Sequence, residues 1–204
     1  MQATKPEIES IFFDIGNVLL AFDWGKAARA IGSRSAIPPE QILHRLSESR
    51  IDEYERGLIT TEEFFTDLGT KLRFDGTVDE LAFAASDIFF PLEENLELVR
   101  KLSGRYRLGI VSNINRAHVE FLESRHDFFS LFEARIYSCA VGSRKPEARI
   151  FERALQAFHA SPATCLFIDD LEQNVAAARK LGWNAIRALP GTDLQRELRF
   201  FGVG

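Results

Sequence analysis

Residues 11 to 18, Ile11-Phe12-Phe13-Asp14-Ile15-Gly16-Asn17-Val18, pass from three large apolar side chains into one carboxylate and then a small-residue turn. This β-branched and aromatic start predicts a strand that hands Asp14 to a loop. Desolvating an ionised Asp at the end of a buried strand is costly unless a cation or a reaction uses it. Open α/β sheets hold their ligands at the carboxyl ends of such strands. On its own, Asp14 reads first as a residue that starts a turn; other segments of the chain favour the functional reading.

Three later segments do so. Leu108-Gly109-Ile110-Val111 is a second apolar run, and it ends in Ser112-Asn113. Arg144-Lys145-Pro146-Glu147 opens a helical pattern, with Pro146 expected in the first turn and Ile150, Phe151, Ala154, Leu155 and Phe158 on one face. Leu166-Phe167-Ile168 is a third run, ending in Asp169-Asp170. Leu171, Val175, Ala178 and Leu181 then mark the buried face of a helix closed by Gly182. Singly, Ser112 and Asp170 pass as helix caps and Lys145 as a solvated lysine. Together they fall where strands stop or helices start, so a parallel sheet brings them to one edge.

Between Phe22 and Phe90 the strand signals stop. Helical patterns run through Trp24, Ala27, Ala28 and Ile31, and through Ile42, Leu43 and Leu46 after Pro38-Pro39. Two capping boxes follow, Thr60 with Glu63 and Thr77 with Glu80, each ahead of an apolar helical stripe. From residue 92 helices and strands alternate, with strands ending near Val111, Tyr137, Ile168 and Ala188. The pattern predicts an α/β fold: a doubly wound, mostly parallel sheet from residues 1–21 and 92–204, with a helical bundle, residues 22–91, inserted after the first strand.

The motifs resemble those of the haloacid dehalogenase-like hydrolases. Asp14-Ile15-Gly16-Asn17-Val18 matches the first motif, Ser112-Asn113 the second, Lys145 within Arg144-Lys145-Pro146-Glu147 the third, and Asp169-Asp170 the fourth. The resemblance spans essentially the whole chain. FDIGNV (13–18), SNINR (112–116), RKPEARIF (144–151) and the acidic pair followed by Asn174 look most like the small sugar phosphatases typified by the glucose-1-phosphate phosphatases. It implies a Rossmann-like core and makes the inserted helices a cap that closes over the nucleophile, excludes water and carries specificity.

The residue types suit phosphoryl transfer. Asp14 as nucleophile forms an aspartyl phosphate and splits hydrolysis into two easier steps. A carboxylate attacks a phosphate dianion only if cations cancel the repulsion. Asp14, Asp169 and Asp170 offer the hard oxygens that Mg²⁺ prefers, and the resemblance adds the Gly16 backbone carbonyl to the ligands. Lys145 is expected to offset charge on Asp14 and the phosphoryl oxygens, and Ser112 to donate to one of them. Asn17 and Asn113 join Ser112 and Lys145 as expected substrate-binding residues. The expected reaction is Mg²⁺-dependent hydrolysis of a small phosphorylated metabolite, a sugar phosphate such as a hexose 1-phosphate.

One position departs from the family pattern. Most phosphatases of this family carry a second Asp two residues after the nucleophile, as general acid and base; here it is Gly16. Such help is worth about 10² to 10⁴ in rate, so leaving groups of low pKa, namely sugar 1-phosphates, acyl phosphates and aryl phosphates, suffer least. Asp23, Asp52, Glu53 and Glu55 are alternative proton relays. Two other readings stay open: a metal-independent 2-haloacid dehalogenase, which also lacks that Asp but needs no acidic pair, and a catalytically silent phosphate-binding regulatory module.

Composition fits a soluble enzyme. The 204 residues are 46% apolar, enough for one substantial core and a smaller one. A formal charge of −5 gives no general attraction to nucleic acid or anionic membrane. No run reaches the roughly 18 apolar residues of a membrane span, and Met1-Gln2-Ala3-Thr4-Lys5-Pro6-Glu7 lacks a signal-peptide core. Cys139 and Cys165, at or near strands, read as buried free thiols of a cytoplasmic protein. His118 and His126 read as surface or loop residues. Phe128-Phe129 and Phe200-Phe201 read chiefly as core, with a dimer patch as the alternative, so a monomer and a homodimer both remain open.

Overall fold

The run from Ile11 to Phe13 becomes the centre of a sheet. The computed structural model describes residues 7–204; Met1 to Pro6, on which most of the signal-peptide reading rests, lie outside the described residues. The chain begins with β1 (Ser10–Phe13) and β2 (Leu20–Phe22). Helices α1 (Trp24–Gly32), α2 (Pro39–Ser47), α3 (Ile51–Glu55), α4 (Thr61–Leu72) and α5 (Val78–Ser86) follow, then β3 (Phe89–Pro91). The remainder alternates: α6 (Glu93–Leu102), β4 (Arg107–Ser112), α7 (Arg116–Glu123), β5 (Ala134–Tyr137), α8 (Ser138–Val141), α9 (Ala148–Phe158), β6 (Cys165–Asp169), α10 (Glu172–Lys180), β7 (Asn184–Arg187) and α11 (Leu194–Arg199).

Five strands pair in parallel in the order β5-β4-β1-β6-β7. Phe13 lies level with Ile110 of β4 and Ile168 of β6, so Asp14, Ser112 and Asp169 emerge at one edge. The chain lays β4 and β5 on one side of β1, then returns to lay β6 and β7 on the other. The winding therefore reverses at β1, the position where open α/β sheets bind ligands. Ile11, Phe13, Ile110 and Ile168 face one helical layer, and Phe12, Val111 and Phe167 face the other. Apolar residues fill both faces because both are covered.

The inserted helices stand on a stalk. β2 and β3 pair antiparallel, with Ala21 opposite Phe90; strands of three residues carry too little alternation to be read as strands from sequence. The helices between them pack around Ile31, Ile42, Phe64, Phe65, Leu68 and Leu72. Both capping boxes form. The short α3 leans on the core: the Tyr54 hydroxyl accepts the Ala117 N–H at 2.9 Å. Gly57, with φ of 66°, lies so near Cys139 that a Cβ would stand 2.1 Å from its carbonyl oxygen, so this approach requires glycine.

Some expected placements differ. Helix α9 starts at Ala148 with Glu147 as its N-cap, so Pro146, after a cis Lys145–Pro146 bond, stands outside it. Asn113 grips the backbone of Lys145 there and holds it in the loop. Leu171 is the N-cap residue of α10 and is 46% exposed, because the buried stripe begins only at Asn174 and Val175. His118 is buried, not on the surface. Cys165 is buried in β6, whereas Cys139 is half-buried in α8; both are free thiols. Phe128 and Phe129 are core, Phe201 is half-buried against the same core, and Phe200 is exposed. Among the described residues no helix is long and apolar enough to cross a membrane.

Candidate active site

Asp14 leaves β1 held at both ends. Its N–H donates to the Ile168 carbonyl at 2.9 Å, and its Oδ1 accepts the Ile15 N–H at 2.8 Å and Lys145 Nζ at 2.9 Å. Lys145 Nζ also donates to Asp169 Oδ2 at 2.6 Å and to the Val111 carbonyl at 2.9 Å. An ammonium has three protons, so all of them meet protein acceptors. Ser112, at the end of β4, lies beside the Asp14 carboxylate, and its hydroxyl acts to lower that carboxyl's pKa. Asp14 is 8% exposed, Lys145 3% and Asp169 0%.

Burial pushes Asp14 up to about 6; Lys145 pulls it down and the neighbouring Asp169 adds to the rise. For Lys145 burial acts to lower the pKa, but the Asp14 and Asp169 carboxylates outweigh it and hold the ammonium above the ordinary lysine range.

Asp169 is fixed by the Leu171 N–H at 2.8 Å and by Asn174 Nδ2, which reaches its two oxygens at 2.9 and 3.1 Å. Asp170 accepts Asn17 Nδ2 at 2.9 Å. Asn17 sits at φ 55°, a left-handed conformation that Asn tolerates better than most residues. Carboxylate oxygens of Asp14, Asp169 and Asp170 lie within 4.8 Å of one another. These are hard donors, and three carboxylates face one ammonium. Asn174 Oδ1, buried beside Asp169, has no hydrogen-bond partner. Donor type, charge imbalance and an unsatisfied acceptor all fit a divalent cation such as Mg²⁺.

Asn113, expected among the substrate-binding residues, is bound to the third motif. Its Oδ1 accepts the Lys145 N–H at 2.7 Å and its Nδ2 donates to the Lys145 carbonyl at 2.9 Å, so the amide grips the lysine backbone. At Gly16 a Cβ would meet the Phe22 ring at 3.2 Å; the aromatic ring covers the place of the family's acid. The alternative relays are mostly engaged. Asp23 caps α1 through Gly25 N and pairs with Arg29, Asp52 binds Arg56 and Arg144, and Glu53 binds Arg50. These contacts hold all three below the usual carboxylate range. Burial pushes Glu55 up, partly offset by its Arg144 partner at 2.8 Å.

The sequence marks Asn174 beside the acidic pair but gives it no role, and it leaves Phe22 and His118 out of this region. His118 shares a helical stripe with Leu122 and lies three residues after the N-cap Asn115, a spacing that points it inward. With Nε2 protonated it donates to the Ala85 carbonyl at 3.2 Å, and Nδ1 accepts from Asn115 at 3.2 Å. Burial pushes it down to about 4. The unfolded chain therefore binds more protons below pH 6.5. Stability present above that pH falls by about 3 kcal/mol on acidification to pH 4. Urea denaturation at both ends of this range, beside His118→Gln, checks this: the variant loses most of the slope, and an identical slope would assign it to other groups.

A family model described as a haloacid dehalogenase-like hydrolase matches residues 8–182; the chain belongs to that family. It is 28% identical over 197 residues to a drimenol cyclase of Aspergillus calidoustus, a match covering 94% of this chain but only 36% of that protein. It is 25% identical over 199 residues to a D-ribitol-5-phosphate phosphatase of Bacteroides thetaiotaomicron, covering 94% and 97% of the two chains. A solved HAD family enzyme from B. thetaiotaomicron, in complex with magnesium and inorganic phosphate, superposes with a TM-score of 0.84 at 23% identity, covering 94% of this chain and all of that one. At that identity the likeness shows the fold.

Proposed function

We propose that the protein is a Mg²⁺-dependent phosphomonoesterase acting on a small phosphorylated metabolite, with Asp14 as nucleophile. The observation that carries the reading is the cluster of three carboxylates, Asp14 and Asp169 buried and Asp170 half-buried, of which Lys145 pairs with only the first two, leaving two negative charges unmatched. Asp14, Asp169, Asp170 and the Gly16 carbonyl are the residues to hold the metal. Mg²⁺, when bound, supplies the positive charge that lets an anionic nucleophile approach a phosphate dianion. Asp14 Oδ1 is engaged by Ile15 and Lys145, so Oδ2 is the attacking atom. It bonds to phosphorus while the bridging ester bond breaks, and water then cleaves the aspartyl phosphate. Lys145 balances charge on Asp14 and Asp169, Asn113 and Asn174 hold Lys145 and Asp169 in place, and Ser112 orients Asp14. Asn17 and Ser112 stand at the site's edge as phosphate contacts, and the inserted helices act as its cap. The free thiols support a reducing, cytoplasmic setting.

The acidic pair favours this reading over a metal-independent dehalogenase, and the intact carboxylate and lysine geometry favours it over a silent module. A relative named for D-ribitol-5-phosphate supports a sugar-like leaving group, though not the hexose 1-phosphate that the sequence points to. Hydrolysis of p-nitrophenyl phosphate with Mg²⁺, abolished by EDTA, is the expected result. Metal-independent halide release from 2-chloropropionate instead would establish the dehalogenase.

Position 16 makes a separate prediction. Gly16→Asp alone forces the new side chain against Phe22, so Gly16→Asp with Phe22→Ala is expected to accelerate alkyl phosphates by about 10² while leaving aryl phosphates little changed. Rates across leaving groups of graded pKa check it; a slope equal to wild type would refute it.

A further inference from the structure

We infer that the leaving group is apolar, an aryl or hydrocarbon alcohol of about ten non-hydrogen atoms, seated between the inserted helices and the start of α7; this rests on the phosphomonoesterase reading. A cavity of about 330 Å³ lies there. At roughly 30 Å³ for each water-sized occupant, it has room for such a group. Its walls are Trp24, Leu43, Leu46, Ile51, Phe64 and Phe65, and no charged side chain lines it.

The polar side chains in its lining already have partners. The Ser47 hydroxyl donates to the His44 carbonyl at 2.7 Å and the Ser49 hydroxyl to the Leu46 carbonyl at 2.5 Å. Asn115 Oδ1 takes the His118 N–H at 2.9 Å, Asn115 Nδ2 meets His118 Nδ1, and His118 Nε2 meets the Ala85 carbonyl. A polyol entering this space gives up water and finds few groups free to replace it, and buried unpaired hydroxyls are costly. A hydrocarbon gives up nothing and covers aromatic surface.

The reacting carboxylates do not themselves line the cavity, but two short paths lead from its walls to them. Trp24 packs on Phe22 with ring centroids 6.1 Å apart, and Phe22 covers Gly16, two residues after Asp14. On the opposite wall, Asn115 and His118 follow Ser112 directly out of β4. Trp24 and Leu43 are 39% and 42% exposed, which leaves a way in. The absence of an acid at position 16 points the same way for aryl groups. When Asp14 Oδ2 bonds to phosphorus, the electron pair of the broken P–O bond leaves on an aryloxide, whose conjugate acid, near pKa 10 for a phenol, needs little help; water supplies its proton.

The test compares kcat/KM in Mg²⁺ for 1-naphthyl phosphate, geranyl phosphate, glucose 1-phosphate and ribitol 5-phosphate. Acetyl phosphate, whose leaving group is too small to fill the cavity, is the reference for the chemistry itself. The apolar esters are expected to exceed both sugar phosphates by at least about 30-fold, and Trp24→Ala and Leu43→Gln each to lower the naphthyl-to-acetyl ratio about tenfold. Sugar phosphates turned over as well as the apolar esters, or a ratio unmoved in both variants, would overturn the inference. Calorimetric titration with 1-naphthol separates the two claims. Saturable binding lost in Trp24→Ala, with acetyl phosphate untouched by the wild type, would sink the phosphatase reading and leave the apolar cavity site standing. Acetyl phosphate turnover without naphthol binding or apolar preference would sink the inference alone.

Discussion

Asp14→Asn lowers Mg²⁺-dependent turnover of p-nitrophenyl phosphate by at least about 10⁴-fold and leaves the protein folded. The amide keeps the size of the carboxylate and its acceptor oxygen toward the Ile15 N–H, so local packing survives. It removes the anionic oxygen that attacks phosphorus. Lys145 remains paired with Asp169 at 2.6 Å, so one cation faces one anion where wild type places it between two. In metal-free wild type, Asp14 titrates near 6 when folded and near 3.8 otherwise. The folded chain thus binds more protons between those values, and stability falls as pH rises through them. The variant lacks that slope, so its melting temperature in EDTA at pH 7 is expected to equal or exceed that of wild type. Circular dichroism melts beside the assay decide the matter: a folded variant with near wild-type turnover would exclude Asp14 as nucleophile.

Lys145→Met has the larger cost to folding, about 3–5 kcal/mol. Its ammonium is buried and is a shared partner of Asp14 and Asp169. Methionine fills much of the same volume but leaves the buried Asp14 and Asp169 carboxylates facing each other without a cation. Desolvation and repulsion then add instead of being offset. Turnover is expected to fall at least about 10³-fold, since charge on the nucleophile and the transferring group is no longer balanced. Urea denaturation in EDTA and again with Mg²⁺ reads the folding cost, and the divalent ion is expected to restore part of it by binding the now more negative site. A loss below about 1 kcal/mol would mean that the carboxylates find other partners or remain protonated.

Legibility from sequence followed the range over which each signal acts. The strand delivering Asp14, the runs ending at Ser112 and Asp169, and the helix after Lys145 are local patterns of apolar spacing and punctuation. They locate the four motifs and, by alternation, the parallel sheet. Both capping boxes were equally legible, because four consecutive residues suffice to write one. The stalk was not, since β2 and β3 are three residues each and their pairing joins positions about seventy apart. Leu43, Leu171 and His118 misled because helical periodicity gives a face but not which neighbour covers it.

The amino-acid order alone establishes which chemical groups this protein has, in what sequence they meet the sheet edge, and that the usual acid at position 16 is missing. Folding decides what surrounds them. Only the packed chain shows Lys145 with its three protons committed, Asn113 gripping its backbone, Asn174 fixing Asp169, and Phe22 lying over Gly16. The same holds for the cavity walled by Trp24, Leu43 and Phe65. The lysine's contacts and the cavity walls join residues far apart in the chain, the two shorter-range contacts depend on side-chain directions, and all of them gain strength from exclusion of water, which no local pattern encodes.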